Sequence, residues 1–197
     1  MREFKSLHDN GLVVLVKQGS VGILPTDTVY GIVAQAADKQ AVDKLYRLKP
    51  RELKPGTLIA ASIEQLVELG FRRRYLKAVE QFWPGAVSVI IASGPELEYL
   101  HLGLGNFPVR IPADSKLRKF LEKTGPLMTT SANRPDKPVS NTVQEAQKIF
   151  GDKVDFYVDG GNLSDRPPST IIRIVDDAIE IVRQGAVKIS DAGRIEE

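Results

Sequence analysis

Residues 20–31 of the chain read SVGILPTDTVYG, an apolar run followed at once by a polar cluster. The apolar half, residues 20–25, predicts a buried strand that ends at a proline. The polar half places two hydroxyls, a carboxylate and a phenol directly behind that strand and around Gly31. Such a cluster is typical of a turn in which Asp and Thr side chains bond the local backbone. It also suits a binding site, because ligands bind at strand ends in open α/β sheets.

Apolar runs and amphipathic segments continue outward from this stretch. Capping residues and helical spacing predict helices over residues 39–48, 62–69, 73–83 and 114–125 and from residue 142. Strands are predicted over residues 57–61, 86–92, 107–111, 126–130 and 154–158, with a hairpin of 169–175 and 178–183 that turns at 176–177. The order predicts an α/β fold, a twisted open sheet of mixed parallel and antiparallel strands with packed helices. Since no repeat or linker interrupts it, we expect one domain over residues 1–190 and a polar tail over 191–197.

Composition excludes several classes of site. The 197 residues contain no cysteine, which rules out thiol catalysis, Cys-ligated zinc and iron–sulfur clusters. The two histidines, His8 and His101, are too few for a three-histidine metal site, and we expect both on the surface or in loops. A formal charge of +2 does not by itself indicate a nucleic-acid-binding protein. The apolar run at residues 12–16 is too short to span a bilayer, and no signal-peptide pattern is present, so we expect a cytoplasmic protein without membrane contact.

Three cations, Lys49, Arg51 and Lys54, follow the helix predicted at residues 39–48. Cations at a helix C-terminus complement its dipole, which is one explanation of the pattern. A polyphosphate site would use the same residues, because Arg offers a planar pair of donors and Lys a compact charge. The local sequence leaves both explanations open.

Arg110 stands in the apolar setting FPVRIP, residues 107–112. A charged side chain is rarely buried without a partner. Arg110 therefore either points to solvent from an edge strand or meets a carboxylate inside, from the protein or from a ligand. We favour the carboxylate partner.

Small hydroxylated residues mark two further strand ends. Residues 129–133 read TTSAN, and Ser169 begins the predicted hairpin, whose second strand ends at Arg183. Taken singly, each is an ordinary polar exit from a strand. Small side chains also let a ligand approach the backbone, and Ser and Asn supply both donors and acceptors.

Two other features are expected to be structural. Residues 72–74, all arginine, together with Lys77 are typical of a solvated helix face, with contact to RNA phosphates as the alternative. Trp83, followed by a proline and a glycine, indicates a core aromatic residue at a helix stop.

Together and in this order, the segments resemble the YrdC/TsaC family, the L-threonylcarbamoyladenylate synthases. The resemblance extends from about residue 14 to residue 185. It rests on PTDTVYG (25–31), KPR (49–51), WPGAVSVII (83–91), FPVRIP (107–112), TTSAN (129–133), PSTII (168–172) and VRQG (182–185). Each motif is weak alone, and the ordered set is specific.

The resemblance implies a YrdC-like sheet around a positively charged cavity. It implies a nucleotidyltransferase that condenses L-threonine, bicarbonate and ATP into threonylcarbamoyl-AMP and diphosphate, for a tRNA modification completed by partner proteins. It implies threonine-binding residues Thr28, Arg110, Thr129 and Ser169. It implies ATP-binding residues Lys49, Arg51, Lys54, Asn106, Ser131, Asn133 and Arg183, of which Lys49 and Arg51 would be catalytic. We expect Mg²⁺ to accompany ATP and no metal bound by the protein itself.

The sequence departs from the family pattern at three places. Pro135-Asp136 stands where the family often has Ser-Gly, and Asp27 stands where Glu is common. Gly56-Thr57 stands where an apolar pair often follows the Lys-Pro dipeptide, here residues 54–55. The chain resembles the short family members that lack an additional C-terminal domain. Two other functions remain open at this stage: a non-catalytic module that binds RNA or a nucleotide, and an enzyme of the same fold acting on another amine or carbamoyl donor.

The residue types also suit this chemistry on their own. An N-carboxylate formed from threonine and bicarbonate would attack the α-phosphorus of ATP, and the developing charge would lie on phosphoryl oxygens. Positioning and cationic stabilisation can promote such a step without a nucleophilic side chain. Arg110 would hold the threonine carboxylate, and Lys49 and Arg51 would neutralise the triphosphate.

Overall fold

The chain folds around one sheet whose strands come from nearly its whole length. The structure, a computed structural model, describes residues 1–50, 54–176, 178–190 and 194–196. The strands are β1 (Arg2–Phe4), β2 (Gly22–Pro25), β3 (Tyr30–Gln35), β4 (Thr57–Ile59), β5 (Val87–Ala92), β6 (Asn106–Arg110), β7 (Leu127–Ser131), β8 (Phe156–Val158), β9 (Thr170–Val175) and β10 (Ala178–Arg183). Their order across the sheet is β1-β8-β2-β3-β7-β4-β6-β5-β9-β10.

The sheet mixes both strand directions, which confirms the predicted fold class. Parallel pairs are β1 with β8, β2 with β8, β4 with β6, and β5 with β9. Antiparallel pairs are β2 with β3, β3 with β7, β4 with β7, β5 with β6, and β9 with β10. Because β3, β7 and β4 are adjacent, the polar ends of segments far apart in sequence meet at one place.

Helices cover the sheet on both faces. They are α1 (Asn10–Lys17), α2 (Lys39–Leu48), α3 (Ile63–Leu69), α4 (Arg73–Lys77), α5 (Glu98–His101), α6 (Ser115–Thr124) and α7 (Val143–Phe150). Successive residues of one strand, Ile32 and Val33, are both fully buried but belong to two separate apolar clusters. Side chains alternate across a strand, so each face of the sheet has its own core. No helix of the described residues is long and apolar enough to cross a bilayer.

Several predicted helix boundaries are confirmed, and their causes are local. Asp38 caps α2 by accepting from the backbone N–H of Gln40 and Ala41. Asp114 caps α6 in the same way through Leu117, and Gly125 follows its last residue. Side-chain caps satisfy N–H groups that the first helical turn leaves without partners.

One predicted helix is wrong in extent. Residues 73–83 form α4 only to Lys77, then a short 3₁₀ turn at Glu80–Phe82. Val79 between them leaves the helical region, with φ −124°, and is buried at the core beside Phe82. The residues of the arginine cluster are exposed, as predicted for a solvated face; Arg73 pairs with Glu64 at 3.3 Å.

Four elements of the described residues were not predicted: β1, α1, β3 and α5. Helix α1 begins after Asp9, whose side chain accepts from the backbone N–H of Gly11 and marks the helix start. Strand β3 follows the polar cluster directly and pairs with β2 in an antiparallel hairpin. Its apolar residues do not alternate with polar ones because both faces are buried.

The expectation for His101 is wrong. Its side chain is buried on α5, with Nδ1 accepting from the backbone N–H of Gly105 and Nε2 lying 3.3 Å from the Gly94 carbonyl. The imidazole therefore joins the two ends of the β5–β6 connection. His8 is exposed, as expected.

The final residues partly pair with the preceding segment. Of residues 191–197, the structure describes 194–196, where Ile195 forms an isolated antiparallel bridge with Ile189. Strands β9 and β10 pair antiparallel, as predicted for a hairpin, and the second residue of the turn expected at 176–177 lies outside the described part of the chain.

Candidate active site

A cavity of about 180 Å³ opens where β3, β7, β4, β6, β9 and β10 converge. Its lining is dominated by hydroxyls and small residues. The lining residues include Thr26, Thr28, Gly31, Thr57, Pro108, Arg110, Thr129, Thr130, Ser131, Ser169 and Arg183. All four residues predicted for threonine binding, and two predicted for ATP binding, thus lie around one hollow.

Arg110 is the most deeply buried cation in the described lining of this cavity, with 3% of its side chain exposed. Its Nη1 donates to Oδ1 of Asp27, whose side chain is 7% exposed, and Asp27 Oδ2 accepts from the backbone N–H of Ala113 at 3.1 Å. The structure thereby confirms the expectation that Arg110 meets a carboxylate inside. Arg110 Nε is buried and has no hydrogen-bond partner.

A buried hydroxyl chain supports the opposite wall. Ser169 Oγ lies 3.0 Å from Oγ of Ser88, which is fully buried in β5. Arg183 Nη2 donates to the Ser169 carbonyl at 2.7 Å and to its hydroxyl at 3.3 Å. These contacts fix both the backbone and the side chain of Ser169 at the cavity.

A second hollow of about 520 Å³ adjoins the first at Ser131. Its lining comprises Lys49, Pro50, Lys54, Ser131, Asn133, Pro135 and Asp136. Lys49 is 5% exposed, and its Nζ donates to the Ser131 carbonyl at 2.8 Å, to the Ser131 hydroxyl at 3.0 Å and to Asn133 Oδ1. This buried ammonium ties the end of α2 to the loop that follows β7.

One predicted residue in the described part of the chain, Asn106, lines neither hollow. Asn106 is exposed at the start of β6, and its side chain donates to the Leu104 carbonyl at 3.3 Å. It shares a strand face with Pro108 and Arg110, which do line the cavity. Arg51 lies outside the described residues.

The phenol of the polar cluster has a structural role. Tyr30 is buried, and its hydroxyl donates to the Gly161 carbonyl and accepts from the Gly160 N–H, both at 2.8 Å. Burial raises its pKa above the usual value, so the phenol stays protonated at neutral pH. Tyr30 anchors the loop after β8 rather than supplying a proton to the cavity.

Three supporting residues were not predicted as site residues. Asp27 was noted for its type but not as the partner of Arg110, which lies 83 positions away. Ser88 carried a usable signal, because a lone hydroxyl inside the apolar run AVSVIIA needs a buried partner. Thr26 supports Thr28, with their hydroxyl oxygens 3.0 Å apart.

The geometry suits binding and positioning rather than nucleophilic attack by the protein. Among the described residues that line the first cavity, the ionisable side chains are the two arginines, Arg110 and Arg183. Among the described residues, no three His, Asp or Glu side chains form a group that could hold a metal ion. Hydroxyls and fixed cations can orient an amino acid beside phosphate oxygens.

The family model for Sua5, YciO and YrdC proteins, described as "Telomere recombination", matches residues 14–185. A Methanocaldococcus jannaschii protein with the provisional name threonylcarbamoyl-AMP synthase is 33% identical over 181 residues, covering 91% of this chain and 86% of its own. The threonylcarbamoyl-AMP synthase of Marinobacter nauticus is 30% identical, covering 81% and 87%.

A solved structure agrees with the fold. The crystal structure of Pyrococcus abyssi Sua5 complexed with L-threonine superposes with a TM-score of 0.81 at 25% identity. It covers 94% of this chain, which spans 57% of that longer protein. The family model matches most of the chain, and the two relatives are at least 30% identical over most of their length, so the chain belongs to the Sua5/YciO/YrdC family.

Proposed function

We propose that this protein is a nucleotidyltransferase that forms threonylcarbamoyl-AMP and diphosphate from L-threonine, bicarbonate and ATP. The product would supply the threonylcarbamoyl group for adenosine modification in tRNA, with partner proteins completing the transfer. The observation that carries the proposal is the convergence of Thr28, Arg110, Thr129 and Ser169 on one hollow that adjoins a second one lined by lysines. The names of the related proteins support the same activity.

The first cavity would hold threonine. Arg110 would receive the substrate carboxylate through donors that Asp27 does not occupy. Thr28, Thr129 and Ser169 would orient the amino and hydroxyl groups. When the amine attacks bicarbonate, the N–C bond forms and the C–OH bond of bicarbonate breaks. Because the described cavity lining holds no carboxylate or imidazole, one ammonium proton would leave with the hydroxide as water and a second would pass to solvent.

The second hollow would hold the triphosphate. Lys49, Lys54 and Arg51 would face the phosphates, with Ser131 and Asn133 beside them and Arg183 toward the amino acid. Asn106, which lines neither hollow, would have to contact the nucleotide from outside their walls. The threonine N-carboxylate oxygen would attack the α-phosphorus while the bond to diphosphate breaks. Mg²⁺ carried by the nucleotide would neutralise phosphate charge, and Asp136 is the one carboxylate in the described lining of this hollow.

The deciding experiment measures diphosphate release with each substrate omitted in turn. The synthase must release diphosphate only when threonine, bicarbonate and ATP are all present. Replacing threonine by other amino acids tests whether a different amine is the true substrate. Salt-dependent retention of RNA with no turnover would instead identify a non-catalytic binding module and refute the proposal.

A further inference from the structure

We propose that Thr26 is a positioning residue that fixes Thr28 as an obligate hydrogen-bond acceptor for the ammonium group of the amino acid. This inference rests on the proposed function and deepens it. Thr26 lines the same cavity as Thr28, and both are almost completely buried, at 6% and 4% exposure.

The contacts of Thr26 determine where its single hydroxyl proton lies. Thr26 Oγ1 is 2.7 Å from the Val29 carbonyl oxygen, which can only accept. The Thr26 hydroxyl therefore donates to Val29. Its oxygen also accepts from the backbone N–H of Thr28 at 3.2 Å.

The proton of Thr28 is then fixed as well. The hydroxyl oxygens of Thr26 and Thr28 are 3.0 Å apart, and one of them must donate. Since the Thr26 proton is engaged by Val29, the Thr28 hydroxyl donates to Thr26. Only lone pairs of Thr28 Oγ1 remain for a ligand in the cavity.

The surroundings hold Thr26 in this orientation. Its backbone N–H donates to Val29 at 3.2 Å, and its carbonyl accepts from Arg166 Nη1 at 3.3 Å. Its methyl group lies toward Gly31, whose missing side chain leaves the space it occupies. The relay is therefore built into a fixed turn.

An obligate acceptor matches an ammonium group better than a hydroxyl. An ammonium has three N–H donors and no acceptor, whereas a hydroxyl can donate or accept and would bind to either orientation of Thr28. Threonine in neutral solution carries its amino group as ammonium. The geometry therefore points to Thr28 as the group that receives the substrate nitrogen before the amine is carboxylated.

The test compares Thr26→Val, which keeps the shape and removes the hydroxyl, with Thr26→Ser, which keeps the hydroxyl. Affinities are measured by calorimetry for threonine, for 2-aminobutyrate, which lacks the hydroxyl, and by competition for 3-hydroxybutyrate, which lacks the amine. Thr26→Val should weaken threonine and 2-aminobutyrate about five- to tenfold, the effect of one hydrogen bond. The affinity for 3-hydroxybutyrate should not change, and Thr26→Ser should bind like the unaltered protein.

A double-mutant cycle separates this relay from a general structural role. In a Thr28→Val background the Thr26→Val effect on threonine affinity should fall below about twofold, because the acceptor is already gone. Equal losses in both backgrounds, or a loss confined to 3-hydroxybutyrate, would overturn the inference. Should Thr26→Val not fold, Thr26→Ala is read by the same criteria.

The outcome also distinguishes this inference from the proposed function. If the unaltered protein binds threonine and Thr26→Val binds it equally well, the relay is refuted and the function is untouched. If the unaltered protein does not bind threonine, the proposed function is refuted and the relay with it.

Discussion

Asp27→Asn should destabilise the protein by about 3 kcal/mol, although it changes one atom. Asp27 and Arg110 form an ion pair whose side chains are 7% and 3% exposed. Removing one partner of a buried pair leaves the other charge uncompensated and costs about 3–5 kcal/mol. We take the lower end because the amide oxygen can still accept one hydrogen bond. For 197 residues this corresponds to a fall in Tm of about 6–12 °C.

The matched control is an exposed pair. Arg173 and Glu180 face each other across the β9–β10 hairpin at 2.6 Å, but both side chains are about half exposed, at 50% and 49%. Solvent screening weakens such a pair, so Glu180→Gln should lower Tm much less than Asp27→Asn does.

Urea unfolding and thermal unfolding give the free energy of unfolding and the Tm of both variants. Both are followed by the fluorescence of Trp83, the single tryptophan. Asp27→Glu, which retains the charge, should recover a substantial part of the loss. Equal, small effects of Asp27→Asn and Glu180→Gln would show that burial does not determine the strength of the Asp27–Arg110 pair, and the argument would fail.

Three further predictions concern the phosphate site, the lining of the first cavity at Gly31, and stability at alkaline pH. Lys49→Ala should slow diphosphate release about 10²–10³-fold, as for loss of one preorganised donor. Arg47→Ala, in the last turn of the preceding helix α2 and 78% exposed, should not slow it. Gly31→Ala should cost about 1–3 kcal/mol of stability and weaken threonine binding, because its Cβ would stand 2.4 Å from Thr129 Oγ1; wild-type values in unfolding and calorimetry would contradict this. Burial raises the pKa of Tyr157 to about 12, so its contribution is complete below about pH 10 and is lost as pH rises toward 12. Urea midpoints across that range should fall more steeply for the unaltered protein than for Tyr157→Phe.

The sequence predicted elements whose cause is local. Helix α2 begins after a capping Asp38 and buries one face, so its limits at residues 39–48 follow from neighbouring residues. The strand at Val87–Ala92 follows similarly from a short β-branched run between turn residues. In contrast, β3 carries a glycine and no alternation, since both of its faces are covered, and no local signal separated it from the preceding turn.

Pairings across long stretches of chain could not be predicted in the same way. The carboxylate that pairs with Arg110 belongs to a residue 83 positions earlier, and the sequence around Arg110 does not indicate which carboxylate it is. His101 lies among glycines and leucines that read as a loop, but its ring packs near Phe107 of β6, with centroids 6.3 Å apart. Burial of this kind depends on the sheet order, which brings distant residues into contact.

The division of charge between the two hollows follows from these pairings. Arg110 lines the first hollow while it is paired with Asp27. Its guanidinium therefore offers hydrogen-bond donors with little net charge, as a zwitterionic amino acid requires. The second hollow receives Lys49 and Lys54 with a single carboxylate, Asp136, in its described lining, as a polyanionic triphosphate requires. Ser131 belongs to both hollows and is held by Lys49. A substitution of Lys49 should therefore also alter the affinity for the amino acid, through Ser131. A substitution of Asp27 should leave the affinity for the nucleotide unaltered.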